Sequence, residues 1–431
     1  QIRSVHPGAD RMTFKPPQQA AGYPISNTTE RKDRKAMVTL IRNAAVYQPE
    51  YAGVKDILLL GGKIAAVGEH LKADFGGQVS VEEIQADGMA AVPGFIDSHE
   101  HILGGGGEGG FHTRTPEATL KDLILNGITT VVGCIGTDGV GRDMTALLAK
   151  AHGLENEGIT TYSYTGSYQV PVHTLTGSLM KDIMMLDKVI GVGEIAISDH
   201  RSSQPTFEEF ARLTADARVA GMLSGKAGIV NVHLGDSPRN IDLIRRVVHE
   251  TEIPASQFLP THVNRNAALF DACLEFAAEG GTIDFTGNED IDYWETISDE
   301  VRVCKGIRRL LDKGISSDRF TISSDGQGSL PVFNSKGEYQ GIGIGKASCL
   351  LKELRECVQK ENIPLEIAVK GITSNPASVL KLTGKGRILP GFDADLCLLD
   401  RETLDLNTVI AKGQCMVRGR KQQVFGTFER N

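Results

Sequence analysis

No stretch of the sequence approaches the roughly 20 consecutive apolar residues of a membrane span, and apolar runs such as ITTVVG are short. No CxxC pair occurs: the seven cysteines, at 134, 273, 304, 349, 357, 397 and 415, are scattered and odd in number. A disulfide framework is therefore not expected. They read as buried small hydrophobes in a reducing, cytoplasmic setting. A basic excess is missing too. The 46 Lys and Arg against 54 Asp and Glu leave a net charge of −8, which cannot displace counterions from phosphate, so nucleic acid is excluded as a general partner. The N-terminal stretch has no charged segment followed by an apolar core, so a secretory signal is not expected. Low-complexity tracts and short-period repeats are absent as well.

What is present is a chain of 431 residues with 49 glycines. A bare (β/α)8 barrel takes about 250 residues, which leaves room for a second unit. Residues 1–36 are polar, Pro-rich and charged from Glu30 to Lys35, and are expected to form a flexible extension. Residues 37–92 (VTLIRNAAVY, DILLLGGKIAAVG, VSVEEIQADGMAAVPG) and 386–431 are β-rich, with Gly61-Gly62 at a hairpin turn. They suggest a small β-sandwich domain built from both ends of the chain. Between them, residues 93–385 alternate apolar β-like runs with helical stretches such as PTFEEFARLTADARVAG. That alternation implies an α/β fold, a parallel (β/α)8 TIM barrel.

The chemistry sits at the ends of the β-like runs. His99 and His101 in DSHEH, His233 in VHLG, His262 in PTHVNRN and Asp325 in SSDGQGS each precede a Gly- or Asn-rich loop. In a parallel barrel those positions form the C-terminal mouth. An H-x-H pair on a strand puts both rings on one face, an arrangement suited to a zinc-class divalent metal. A lone strand-end histidine is usually a hydrogen-bonded core or loop residue. Three such strand ends plus an aspartate, in barrel order, point to metal.

PGFIDSHEH with His233, His262 and Asp325 resembles the amidohydrolase superfamily. HILGGGGEGG, VVGCIGTDGVGR, TGSYQVP, AISDHRS, LPTHVNRN and SSDGQGS resemble its bacterial isoaspartyl dipeptidase branch, from about Val38 to Thr427. The resemblance implies a dipeptidase cleaving β-aspartyl bonds with two divalent ions, zinc in the first instance, and a bridging hydroxide as nucleophile. His99, His101 and Asp325 would hold one ion, and His233 and His262 the other. Asp325 would shuttle the proton and Tyr168 would stabilise the oxyanion. Glu108 with Ser329 would pair with the substrate ammonium, and the Gly106 amide with Thr137 would take the isoaspartyl carboxylate. Arg201 and Arg265 would take the leaving residue's carboxylate. A symmetric homo-oligomer, for instance an octamer, is also implied.

One departure matters. The family bridges its metals with a carbamylated lysine on the fourth strand, and VIGVGEIAIS offers none: Lys188 lies at the strand's beginning. Glu194 is the expected bridge. Its shorter side chain requires the strand to bulge by one residue, and activity should then be independent of bicarbonate. Rival readings are a cyclic-amide or N-acyl amino acid hydrolase of the same superfamily and a scaffold that has lost its metals. The ligand set argues against the second. His112 and His200 are candidates for supporting roles, and Tyr293 and Trp294 are expected in a loop after GTIDFTG.

Overall fold

A computed structural model describes residues 38–77, 79–333 and 339–429, with no side chain described from 331 to 339. The extension expected over residues 1–36 lies outside them. Strands β1 (Val38–Tyr47), β2 (Tyr51–Leu60), β3 (Lys63–Gly68), β4 (Val81–Gln85) and β5 (Met89–Pro93) come first. The barrel strands follow: β6 (Phe95–Glu100), β7 (Ile128–Gly133), β8 (Thr160–Thr165), β9 (Val189–Ile197), β10 (Ile229–Leu234), β11 (Phe258–Thr261), β12 (Ile283–Thr286) and β13 (Phe320–Ser323). A hairpin of β14 (Ser329–Phe333) and β15 (Tyr339–Ile344) precedes the C-terminal β16 (Leu396–Asp400), β17 (Leu406–Ala411), β18 (Gln414–Arg418) and β19 (Lys421–Gln422).

β6 to β13 pair in sequence order and in parallel, and the circle closes where the Asp325 amide donates to the His99 carbonyl (3.1 Å) and the His101 amide to that of Gly326 (2.9 Å). Every residue of β6, β7, β9, β10, β11 and β13 is buried, as expected for strands covered on both faces. The outer helices start where the sequence supplies caps. Thr119 and Asp122 form a capping box on α1 (Leu120–Ile124), and Asp143 caps α2 (Met144–Glu157). Further along the chain lies α3 (Leu179–Met185), followed by α4 (Phe207–Ser224), which Thr206 and Glu209 box and Gly225 ends at φ 71°. Later come α5 (Asp242–Glu250), α6 (Ala267–Ala278), α7 (Ile291–Ser298), α8 (Val303–Asp312) and α9 (Cys349–Gln359). Tyr293 and Trp294 therefore lie on a short helix, α7, and not in a loop. Ile291, the buried residue of this helix, anchors it.

The strands of both chain ends form one sheet in the order β19-β18-β17-β16-β5-β1-β2-β3, with β4 on β1. Gly61 and Gly62, at φ 60° and 80°, make the β2–β3 turn as expected. Ile41, Val46, Ile57, Leu59 and Ile64 from one end pack with Leu396, Leu398 and Ile410 from the other, giving the sheet its own core. This unit meets the barrel through the buried Lys385, whose ammonium donates to Thr160 on β8 (2.7 Å) and to Asp395 (2.5 Å) beside β16. Removing one partner of a buried pair leaves the other charge uncompensated. Lys385→Met is expected to destabilise the protein by about 3 kcal/mol in denaturant unfolding, while conservative replacements of exposed lysines leave the midpoint unchanged.

Candidate active site

The barrel brings the strand ends to one mouth. β6 presents His99, and His101 follows directly after the strand with its ring 5.5 Å from that of His99. β10 carries His233. His262 follows β11 and Asp325 follows β13, both in the left-handed region (φ 63° and 49°), an uncommon conformation for residues other than glycine. On β9 the pairing with β10 slips: Val192 faces Val230 and Ile195 faces Val232, so β9 holds one extra residue. Gly193 makes this possible. At φ 155°, a Cβ there would stand 2.8 Å from the Asn231 side chain and 2.9 Å from its carbonyl oxygen.

The extra residue sets Glu194, fully buried, among four imidazoles. Its Oε1 lies 3.3 Å from His101 Nε2. Its Oε2 lies 3.1 Å from His233 Nδ1, 3.4 Å from His99 Nε2 and 3.6 Å from His262 Nε2. Asp325 Oδ1 stands 3.1 Å from His101 Nε2 and 3.7 Å from His99 Nε2. The far nitrogens of three rings are tied elsewhere. His99 Nδ1 meets Asn231 Oδ1 at 3.0 Å, His233 Nε2 meets Asp199 at 3.0 Å, and His262 Nδ1 meets the Thr286 hydroxyl at 2.7 Å. Asn231 gives its amide protons to the Leu259 carbonyl, which leaves its oxygen to accept from His99. Outer partners of this kind fix the tautomer and aim the remaining lone pair inward.

Glu194 Oε1, Asp325 Oδ1 and His262 Nε2 are buried with no hydrogen-bond partner, all in this one spot. Such atoms are costly unless something ligates them. The donor groups His99–His101–Cys134–Glu194, His99–His262–Asp325 and Glu194–His233–His262 each gather within 4.8 Å. This set of imidazoles and carboxylates fits divalent metal. Burial opposes charge on His99 and His101, yet Cys134, Glu194 and Asp325 hold both rings well above their ordinary value. Burial also opposes ionisation of Glu194, but the charge on His99 and the hydrogen bond from His233 take it well below. Asp325, likewise opposed by burial, comes down to about 2 beside His101. His262 is driven down to about 3 by burial and stays a neutral donor.

Above this floor lies a cavity of about 990 Å³. Gly106, Glu108, Thr137, Tyr168, Arg201, Arg265 and Ser329 line it with His101, His233, His262 and Asp325, while His99 and Glu194 lie beneath. His112, His200 and Trp294 line it as well. Burial keeps the Tyr168 phenol neutral, well above its usual value, and its hydroxyl sits 2.9 Å from His233 Nδ1. The glycine-rich loop bearing Glu108 is pinned by Arg142, which donates to the Leu103 and Thr115 carbonyls at 3.1 and 3.0 Å. Glu108 accepts from Thr137 (2.9 Å), Ser329 (3.2 Å) and Arg201 (3.2 Å). Glu108 and Arg201, assigned from sequence to opposite ends of a substrate, thus pair with each other, and Thr137 faces Glu108.

Asp199 was not singled out from sequence. It holds both His233 and Arg201, the latter through Nε (3.0 Å) and Nη2 (2.8 Å). Its place two residues before Arg201 in AISDHRS was the available signal. Asn231, Thr286 and Cys134 were also missed.

Residues 90–424 match the amidohydrolase family. The chain belongs to that family. A β-aspartyl dipeptidase from Fervidobacterium islandicum AW-1, solved in complex with the β-Asp-Leu dipeptide, is 46% identical, covering 92% of this chain and 100% of that one with a TM-score of 0.85. A Brucella anthropi deacetylase is 25% identical over 88% of this chain and 87% of its own length. An allantoinase of Salmonella choleraesuis is 22% identical over 84% and 86%. In this amidohydrolase Asp199 steadies a ring nitrogen and a guanidinium together. Asp199→Asn is expected to weaken metal binding at the His233 side by about 10- to 100-fold, measured by titration of the metal-free protein.

Proposed function

We infer that this amidohydrolase is a two-metal dipeptidase that hydrolyses the β-aspartyl bond of isoAsp-Xaa dipeptides. The observation that carries the reading is the pairing of an anionic and a cationic wall, Glu108 against Arg201 and Arg265, above a floor of metal-type donors. A zwitterionic dipeptide complements those walls. The likeness to the F. islandicum enzyme with β-Asp-Leu supports the same substrate class.

His99, His101 and Asp325 would hold one ion, and His233 and His262 the other, with Glu194 shared between them. Zinc suits this set. Divalent ions here would polarise the scissile carbonyl and acidify the attacking water. The protein's own groups do the rest. Asp325, ionised well below neutrality, accepts the water proton and returns it to the departing amine. Tyr168, a neutral phenol, donates a hydrogen bond to the developing oxyanion. The substrate ammonium displaces Arg201 from Glu108 and is held there with Ser329. The Gly106 amide and Thr137 receive the isoaspartyl α-carboxylate. Arg201, released from Glu108, takes the leaving residue's carboxylate together with Arg265, whose buried Nε has no partner of its own. A symmetric homo-oligomer in the cytoplasm belongs to the same reading. Among the described residues no helix is long and apolar enough to cross a membrane.

β-Asp-Leu should be cleaved and α-Asp-Leu left intact by the same metal-loaded preparation. Failure on both peptides at full metal content would move the assignment to cyclic or N-acyl amides. Glu108→Gln is expected to raise KM for β-Asp-Leu about 10- to 100-fold, the worth of a charged hydrogen bond, in steady-state kinetics. Turnover should also be the same in bicarbonate-free and bicarbonate-containing buffer, because no lysine needs carbamylation.

A further inference from the structure

Cys134 differs in its surroundings from the other six cysteines, none of which joins a metal-type donor group among the described residues. It directly follows β7, and its amide donates to the Glu100 carbonyl (3.1 Å), which holds it against β6. Its sulfur is buried 3.5 Å from His99 Nε2, the same nitrogen that faces Glu194 and Asp325. Two other neighbours touch it, the Glu100 carbonyl at 3.5 Å and His101 Nδ1 at 3.8 Å. Two residues on, Gly136 leaves the floor clear: a Cβ there would stand 2.8 Å from the His101 ring and 3.2 Å from Glu194 Oε1.

We propose that Cys134 is a thiolate ligand of the ion held by His99 and His101. The inference rests on the two-metal reading above. The argument is geometric. Around a tetrahedral zinc, with nitrogen at about 2.0 Å and sulfur at about 2.3 Å, those two donors stand about 3.5 Å apart, and a nitrogen and a carboxylate oxygen about 3.3 Å apart. The Cys134–His99 separation is 3.5 Å, and the imidazole–carboxylate separations around the same point run from 3.1 to 3.7 Å. The sulfur therefore stands where a ligand of a shared ion belongs. The second observation is independent of the thiol: Glu194 Oε1 and Asp325 Oδ1 are buried there and make no hydrogen bond, although each faces His101 Nε2 at 3.3 and 3.1 Å. On binding, the thiol proton goes to solvent and the thiolate adds an anionic donor beside Glu194. A soft sulfur ligand also favours zinc over magnesium or manganese.

Zinc K-edge X-ray absorption of the purified metal-loaded enzyme tests this without reference to any substrate. A sulfur shell at about 2.3 Å is expected in the native protein, and its loss in Cys134→Ser. A native spectrum with nitrogen and oxygen scatterers alone would overturn the proposal, leaving the thiol as a hydrogen-bond partner of His101. So would a sulfur shell that survives in Cys134→Ser. The native spectrum decides even where the variant folds poorly. Because no peptide is present, a failed dipeptidase assignment and a failed thiolate assignment are separate results.

Discussion

One buried carboxylate organises this molecule's chemistry. Glu194 sits fully out of solvent with imidazoles of four barrel-end histidines within 3.6 Å. An isolated ionised carboxylate in such a place would be untenable. It is sustained by the charge and hydrogen bonds of the rings, and divalent ions can take over that role from protons. The surrounding backbone makes room for it. One extra residue in β9, a glycine where any side chain would strike Asn231, and left-handed conformations at His262 and Asp325 all serve the same cluster.

A second layer converts that cluster into a directed site. Asn231, Asp199 and Thr286 each bind the outward nitrogen of one histidine, so the inward lone pairs are fixed before any ligand arrives. Asp199 also grips Arg201, which reaches Glu108 across the cavity. Floor and wall are therefore coupled through a single aspartate. The Glu108–Arg201 contact satisfies both charges in the free enzyme. A zwitterion can replace it at both ends, whereas a neutral amide would leave Glu108 without a cation.

The strand-end histidines were legible because two rules coincide: side chains alternate along a strand, and barrel chemistry gathers where strands run into loops. Glu194 stood out through a missing lysine and an added residue. The barrel and the sheet shared by the two chain ends were readable from the alternation of β-like and helical runs. Other features depended on tertiary register. Asp199, Asn231 and Thr286 are ordinary polar residues until neighbouring strands bring a ring nitrogen to them. Cys134 read as a small hydrophobe, since burial alone does not distinguish a packed thiol from a ligating one. Helix α7 is short, and the packing of its buried Ile291 is not visible in the sequence.

We propose that Glu194 holds both ions, the part that the family resemblance gives to a carbamylated lysine. Counting bound metal in Glu194→Gln by elemental mass spectrometry, after gel filtration in chelator-free buffer, tests it most directly. The amide keeps the side chain's size but is neutral and offers a single oxygen. Fewer than two ions per chain, in a protein that still elutes and unfolds as the native one does, is the expected result. Two tightly held ions in Glu194→Gln, with native turnover, would contradict it.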